Sequence, residues 1–365
     1  MRFRPTGAFS HRLAKAAGMA HERQHSSSVR RGSLSPRPGR LPANPLLPGW
    51  PLLLMAGILL ALAPAPVAAQ TGPVEMAPLG FQPLPEEYAQ RFCQPVGNQA
   101  ERDLPTFLDW RERGIVTRAK SQQTCGACWA FAGIACIESM CILAGADSRL
   151  DLSEQQAISC DVQFRSQYGA RNDGCCGGTV TIFEYFRENY AILESAFPYG
   201  NGDFDGEHAR SCDVTPSWDT VPCPASLPEP TGWRVESWTL IAPQPIPTVD
   251  ALKRALQQGP VWLGYRVYED FVDYWYYDRD PSPYRHVDGA YLGGHAVLLI
   301  GYDDARQCWI AKNSWGTTGP FRDGTFLVAY DGNCDFGINA ASVVVAPAQT
   351  PTRTATLGSI RWLFR

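Results

Sequence analysis

Lys120-Ser121-Gln122-Gln123-Thr124-Cys125-Gly126-Ala127-Cys128-Trp129-Ala130-Phe131-Ala132 carries more chemical information than any other stretch of this chain. Downstream of it, Gly133 to Gly145 mixes Ala, Ile, Met, Leu and Glu without proline, so the pattern predicts a helix with Cys128 in its first turn. Unpaired N–H groups and the positive end of a helix favour a thiolate over a thiol. A cysteine at such a place is a candidate nucleophile. Two other readings of Cys125-Gly126-Ala127-Cys128 stay open at this point: a redox or metal Cys-x-x-Cys, or two structural half-cystines. A thioredoxin-like site wants a surrounding βαβ pattern, and a zinc site wants a second ligand pair at suitable spacing; neither is evident here.

A cysteine nucleophile needs a base, and the chain has six histidines. His11, His21 and His25 fall in a basic N-terminal leader. His208 lies in the Gly/Asp-rich loop Gly200–Glu207, and His286 follows Pro281, Pro283 and Arg285 in a polar segment; both read as solvated side chains. His295 differs. Gly293-Gly294-His295-Ala296-Val297-Leu298-Leu299-Ile300-Gly301-Tyr302 puts it at the start of a buried-strand pattern, with glycines permitting close approach. A second apolar strand, Cys308-Trp309-Ile310-Ala311, ends in Lys312-Asn313-Ser314-Trp315-Gly316. An amide oxygen accepting the imidazole's second proton would orient the ring, the third role in nucleophile–base–orienter logic.

Composition agrees with a packed, exported protein. The chain has 365 residues, 45% hydrophobic and 19% charged, with a formal net charge of −4, far from disordered or coiled-coil compositions. Residues 1–50 hold nine Lys+Arg against one acid, whereas 104–345 holds 18 against 30. An acidic body argues against a nucleic-acid partner, since phosphate binding needs a basic face. Between Arg40 and Glu75 there is no charge, and Leu52–Ala63 is an apolar run of signal-peptide length followed by small residues at Val67-Ala68-Ala69. Twelve cysteines point to an oxidising compartment. Export to the periplasm or the extracellular space is therefore expected, with no stable membrane association after signal cleavage.

The motifs in order resemble the papain family of cysteine peptidases, which contains the cathepsins. Leu104-Pro105-Thr106-Phe107-Leu108-Asp109-Trp110-Arg111 looks like a mature N-terminus of that family, Gln122…Cys125-Gly126-Ala127-Cys128-Trp129 like its nucleophile signature, and Leu152-Ser153-Glu154-Gln155-Gln156 and Gly174-Cys175-Cys176-Gly177-Gly178 follow in family order. Gly293-Gly294-His295-Ala296-Val297 and Lys312-Asn313-Ser314-Trp315-Gly316 complete the set. The Gly301-Tyr302-Asp303-Asp304 ending and the short lead-in look more like bacterial members. The resemblance implies an α+β, papain-like two-lobed fold: a helical lobe, about Arg113–Asp219, and an antiparallel β-barrel-like lobe, about Thr220–Val345, with the active-site cleft between them. It divides the chain into a leader and signal peptide (1–69), a lead-in (70–103), the peptidase domain (104–345) and a flexible tail (346–365).

By the same resemblance Cys128 would be the nucleophile, His295 its base, Asn313 the orienter and Gln122 the side-chain oxyanion donor. Trp315 would shield the His295–Asn313 pair, Gly177 and Gly178 would present backbone to an extended substrate, and Gly264 and Ala296 would line an apolar second subsite. Substrates would be polypeptides, with no cofactor and no metal, and the protein would be a monomer. Cys125 would pair with Cys175 and Cys160 with Cys212; Cys308 and Cys334 are a further candidate pair. Cys136 and Cys141 face apart on the predicted helix, so each must find another partner or stay reduced.

Departures from the family pattern are informative as well. Gly294 stands where Asn or Asp is common, and the second tryptophan after Asn313-Ser314-Trp315-Gly316 is missing, with Phe321 as its candidate replacement. Residues 70–103 are too few for a long helical propeptide and read as extended, with one short helix around Glu86–Phe92; either there is no intramolecular inhibitor or Pro85–Pro95 crosses the cleft. The aromatic segment Glu269–Asp288 reads as a specificity loop or as buried packing. A catalytically silent binding protein and a thiol oxidoreductase using Cys125 and Cys128 stand as alternative functions.

Overall fold

The computed structural model describes residues 79–93, 104–161, 172–200, 221–243, 245–278 and 282–347. The chain separates into Met1–Ala69 and Gln70–Arg365, and every described residue belongs to the second unit. The leader, the C-terminal tail, His208 and Cys212 lie outside the described residues.

The central helix of the first half is α2, Cys128–Leu143. Nearly every position from Cys128 to Cys141 is buried, which suits a helix that is apolar all round and therefore belongs inside. Around it lie α3, Glu154–Cys160, and α4, Ile182–Glu188. Ser153 caps α3 by accepting from the Gln156 N–H, the usual remedy for orphan amides at a helix start.

The second half is an antiparallel sheet. Strands β2 (Trp233–Leu240), β3 (Val261–Tyr268), β4 (Tyr291–Asp303), β5 (Cys308–Lys312), β6 (Thr325–Ala329) and β7 (Ile338–Pro347) follow the order β2-β7-β3-β4-β5-β6, and β1 (Phe107–Asp109) pairs with β4. Every strand pairing is antiparallel. Helices α5, Val249–Leu256, and α6, Glu269–Tyr276, accompany it.

Strand β4 organises the interior because both its faces are covered. Ala296, Leu298 and Ile300 join the core around α2, while Val297 and Leu299 join a second core with α6. Period-2 alternation thus explains why the run from Ala296 to Ile300 is continuously apolar.

Two expected disulfides need revision. Cys125–Cys175 forms as expected, but Cys160 pairs with Cys223 rather than Cys212. Cys176 is also disulfide-bonded, to a partner outside the described residues. Cys308 and Cys334 do not pair: both are free, and they sit in the two different cores, on opposite sides of the sheet. Cys136 and Cys141 are free and buried within α2.

The short helix of the lead-in is present as α1, Glu86–Phe92. It does not cross the cleft. Phe92 stacks on Trp238 at 4.3 Å, and Cys93 forms a parallel bridge with Leu240 at the β2 edge. The segment just before it, Leu79–Leu84, lies against the residues described next.

Candidate active site

Cys128 is the first residue of α2, a free thiol with no exposed surface. Backbone N–H groups of Ala296, Gly80, Trp129 and Cys128 itself are directed at its sulfur. Burial nevertheless dominates and pushes the thiol up to about 11, with the four amides pulling the other way. Because Cys125 is bonded to Cys175, Cys125 and Cys128 are not a dithiol pair.

His295 and Asn313 come together from β4 and the end of β5. His295 Nε2 and Asn313 Oδ1 are 2.7 Å apart, and the same Oδ1 accepts from the Ser314 N–H at 2.7 Å. An oxygen already accepting from a backbone amide is fixed as the acceptor, so His295 Nε2 must be the donor. That leaves Nδ1 as the unprotonated nitrogen of the neutral ring, and it is buried without a protein partner. Burial pushes His295 down to about 4, opposed by the Asn313 bond.

Trp315 packs on the His295 ring at 4.8 Å, and Tyr265 meets the same ring edge-on at 5.7 Å. The bulk around Trp315 comes from α6, not from Phe321. Phe271, Trp275 and Tyr276 lie 5.7, 5.6 and 6.2 Å from it, whereas Phe321 packs against the α2 core. Phe271, Tyr274, Trp275 and Tyr284 of the aromatic segment are therefore buried packing, whereas Tyr277 is exposed. His286, expected to be solvated, is half-buried; it stacks on Tyr268 at 3.7 Å and its Nδ1 lies 3.1 Å from the Asp270 carboxylate.

Gln122 reaches the site by pairing of its segment with the one after β5. Ser121 bridges Trp315, Gln122 N–H donates to Ser314 O at 2.9 Å, and Gly316 N–H donates to Lys120 O at 3.0 Å. The side-chain amide is oriented by Ser314, whose Oγ donates to Gln122 Oε1 at 2.6 Å, while Nε2 donates to Cys125 O at 2.8 Å. Ser314 was visible in the sequence only as part of a motif, with no signal of this contact.

A buried ionic cluster supports the same two segments. Lys120 Nζ lies 3.1 Å from Glu138, 2.6 Å from Asp151 and 2.8 Å from Glu154. Thr117 donates to Glu138 and accepts from Lys312 Nζ at 2.9 Å. Burial works against the Lys120 charge, yet Glu138 and Glu154 outweigh it and hold its pKa above the ordinary lysine value. Lys312, which lacks a carboxylate in contact, is pushed down to about 8 by burial. Scattered single Lys and Glu residues gave no pattern by which to foresee this.

The lead-in runs beside Cys128 and the glycines around it. Gly178 N–H donates to Gly80 O at 2.8 Å, Gln82 N–H donates to Gly178 O at 2.9 Å, and Phe81 N–H donates to Gly294 O at 3.1 Å. Phe81 and Gly178 thus form a parallel bridge. A Cβ at Gly177 would come within 2.6 Å of Gly80 O, so Gly177 and Gly178 both lie along the backbone of the lead-in. Gly264 and Ala296 pair across β3 and β4, with the Phe81 ring against Gly264.

The chain belongs to the papain family: residues 104–346 match the family described as Papain family cysteine protease. Among its relatives are Cysteine endopeptidase Rep1 of Oryza sativa subsp. japonica, 31% identical over 280 residues, covering 71% of this chain and 63% of the relative. Cathepsin S of Mus musculus is 32% identical over 226 residues, covering 60% and 56%. The chain therefore spans about three fifths of the length of these curated relatives, which are eukaryotic. Among solved structures, the bromelain protease from Ananas comosus in complex with the E64 inhibitor has a TM-score of 0.50 and 25% identity, over 66% of this chain and 99% of that one. These relationships fit the α+β papain-like fold.

Proposed function

We propose that the chain is an exported cysteine peptidase, a monomer acting on polypeptides, with the lead-in serving as its intramolecular cover. The observation that carries this is the His295 Nε2–Asn313 Oδ1 bond beside a thiol whose sulfur meets the Ala296 N–H. It sets the tautomer in which Nδ1 can take the Cys128 proton. The thiolate attacks the peptide carbonyl carbon, a C–S bond forms, and the carbonyl electrons move to an oxygen held by the Gln122 amide and the Cys128 N–H. His295 then protonates the leaving amine as the C–N bond breaks, and later removes a proton from the water that hydrolyses the thioester. Trp315 keeps solvent from the His295–Asn313 bond.

In the covered state the pair is neutral, since burial raises Cys128 and lowers His295. Withdrawal of Leu79–Leu84 readmits water, which favours the thiolate–imidazolium form. The disulfides at Cys125, Cys160 and Cys176 and the apolar leader segment support an oxidising destination, periplasmic or extracellular. No helix among the described residues is long and apolar enough to cross a membrane. Cleavage of an unstructured protein by the reduced chain tests the reading: it is expected to require thiol and to vanish in Cys128→Ser and His295→Ala. Undiminished cleavage by Cys128→Ser, or none by the wild type after loss of the lead-in, would overturn it.

A further inference from the structure

Leu79 and Phe81 flank Gly80, whose N–H faces the Cys128 sulfur. Phe81 bridges Gly178, whereas Leu79 lies against Gly293, where a Cβ would come within 3.0 Å of its side chain. In the reaction described above the leaving amine takes its proton from His295. The departing residue therefore lies beside the entry of β4, at Tyr291–Gly294, the stretch that Leu79 touches.

Gly293 and Gly294 give that stretch no side chain of their own, and its charge comes from β3. Arg266 pairs across the strands with Gly294 and shares a face of β3 with Gly264. In a strand otherwise buried or half-buried it is the one exposed residue. Its guanidinium stands over the Tyr291 ring at 5.7 Å, and Tyr291 is backed in turn by Tyr268 at 5.7 Å. Tyr291 is 54% exposed, so this aromatic seat faces solvent.

Asp335 fixes the guanidinium from the other side, 2.7 Å from Nε. The hairpin that carries it is tied to β3, since the Arg266 N–H donates to Cys334 O at 2.8 Å. A guanidinium has five N–H donors and one carboxylate takes two of them in a fork. With half of the Arg266 side chain exposed, donors remain for a second carboxylate.

We propose that Arg266, seated on Tyr291, is a specificity-determining residue of a carboxylate-binding subsite on the leaving-group side of the cleft. It selects a substrate whose residue after the scissile bond carries an acidic side chain or a free carboxyl terminus. This rests on the peptidase reading above.

The test uses the full chain matured under reducing conditions to constant activity, with internally quenched peptides that differ only in the residue after the scissile bond: Glu, Gln or Lys. Product masses fix the bond that is cut. The expected kcat/KM for Glu exceeds that for Lys by about tenfold at low salt, and added salt shrinks the ratio. Asp335→Asn removes the competing carboxylate at a left-handed position, φ 50°, which asparagine accepts, and raises the ratio. Arg266→Gln abolishes it, Arg266→Lys keeps part of it and Arg266→Glu reverses it. Peptides ending at that residue, as free acid or as amide, separate the two sources: an Arg266-dependent preference for the acid assigns the terminus, and a preference among side chains alone assigns the acidic residue. Equal rates within both sets, or an order unchanged in Arg266→Gln, overturn the proposal. The same pairs are compared without chemistry by calorimetric binding to the full chain carrying Cys128→Ser and Phe81→Ala. There, a carboxylate peptide binding no tighter than its partner in either pair, absence of binding included, overturns the subsite. Tighter binding of it without turnover upholds the subsite and strikes only the peptidase reading.

Discussion

Gly80 of the lead-in passes Gly126, two residues before Cys128 in the loop that delivers it to α2, so closely that a Cβ at position 80 would overlap the Gly126 carbonyl oxygen. Backbone cannot yield as a flexible side chain would. Gly80→Val is therefore expected to lift the lead-in from the cleft and to raise the activity of the full-length chain at least tenfold before any processing. Initial rates on a fluorogenic peptide, measured beside the intact mass of the protein, check this; equal latency in the variant would show that the lead-in is not held at this point.

Acid should open the covered site. The His295 pKa is pushed by burial from 6.5 to about 4, so the covered state takes up its proton later than a solvated histidine does. A depressed pKa contributes stability that is present above the ordinary value and lost as pH falls through 6.5 toward 4. Cys128, pushed up to about 11, stays protonated in the covered state throughout that range. Iodoacetamide labelling of Cys128 in the full-length chain is expected to be slow at pH 7 and to quicken on acidification to pH 4–5, as the cover lifts. Labelling that only slows with falling pH would contradict it.

Ser314→Ala removes the hydroxyl that orients the Gln122 amide at 2.6 Å. A misdirected oxyanion donor acts on the transition state more than on substrate binding. The expected result is a fall in kcat of about tenfold with KM nearly constant, against about 10²–10³ for Gln122→Ala. Steady-state kinetics of the two variants and of Ser314→Thr separates loss of orientation from loss of fold.

Lys120→Met would leave Glu138 and Glu154 buried without their main counter-charge. Breaking a buried ion pair by removing one partner costs about 3–5 kcal/mol. Denaturant unfolding should show a loss of that order, and Lys120→Arg should recover part of it.

The candidate catalytic residues are legible because each lies in a short motif whose local geometry is self-contained: Cys128 at a helix start, His295 at the entry to a buried strand, Asn313 at the end of the next. The same holds for the α1 helix over Glu86–Phe92. What the sequence did not show is non-local. The Cys160 partner depends on which part of a distant loop approaches α3, and Cys223 wins over Cys212. Cys308 and Cys334 are near in sequence, yet the sheet separates them. The aromatic surroundings of Trp315 come from α6, some forty residues earlier, because helix packing rather than proximity along the chain fills that space. The ionic cluster on Lys120 draws on Glu138, Asp151 and Glu154, none of which stands out alone.

The lead-in grips the body at two separated places, the Phe81–Gly178 bridge in the cleft and the Cys93–Leu240 bridge at the β2 edge. Each contact raises the local concentration of the other, so together they behave as a two-headed ligand whose avidity exceeds that of either end. One nick in the dozen residues between them would leave the Phe81 end as a separate, weakly held fragment, while the Cys93 end stays joined to the body. Release of the enzyme would then follow a threshold set by a single covalent event, not a gradual loosening.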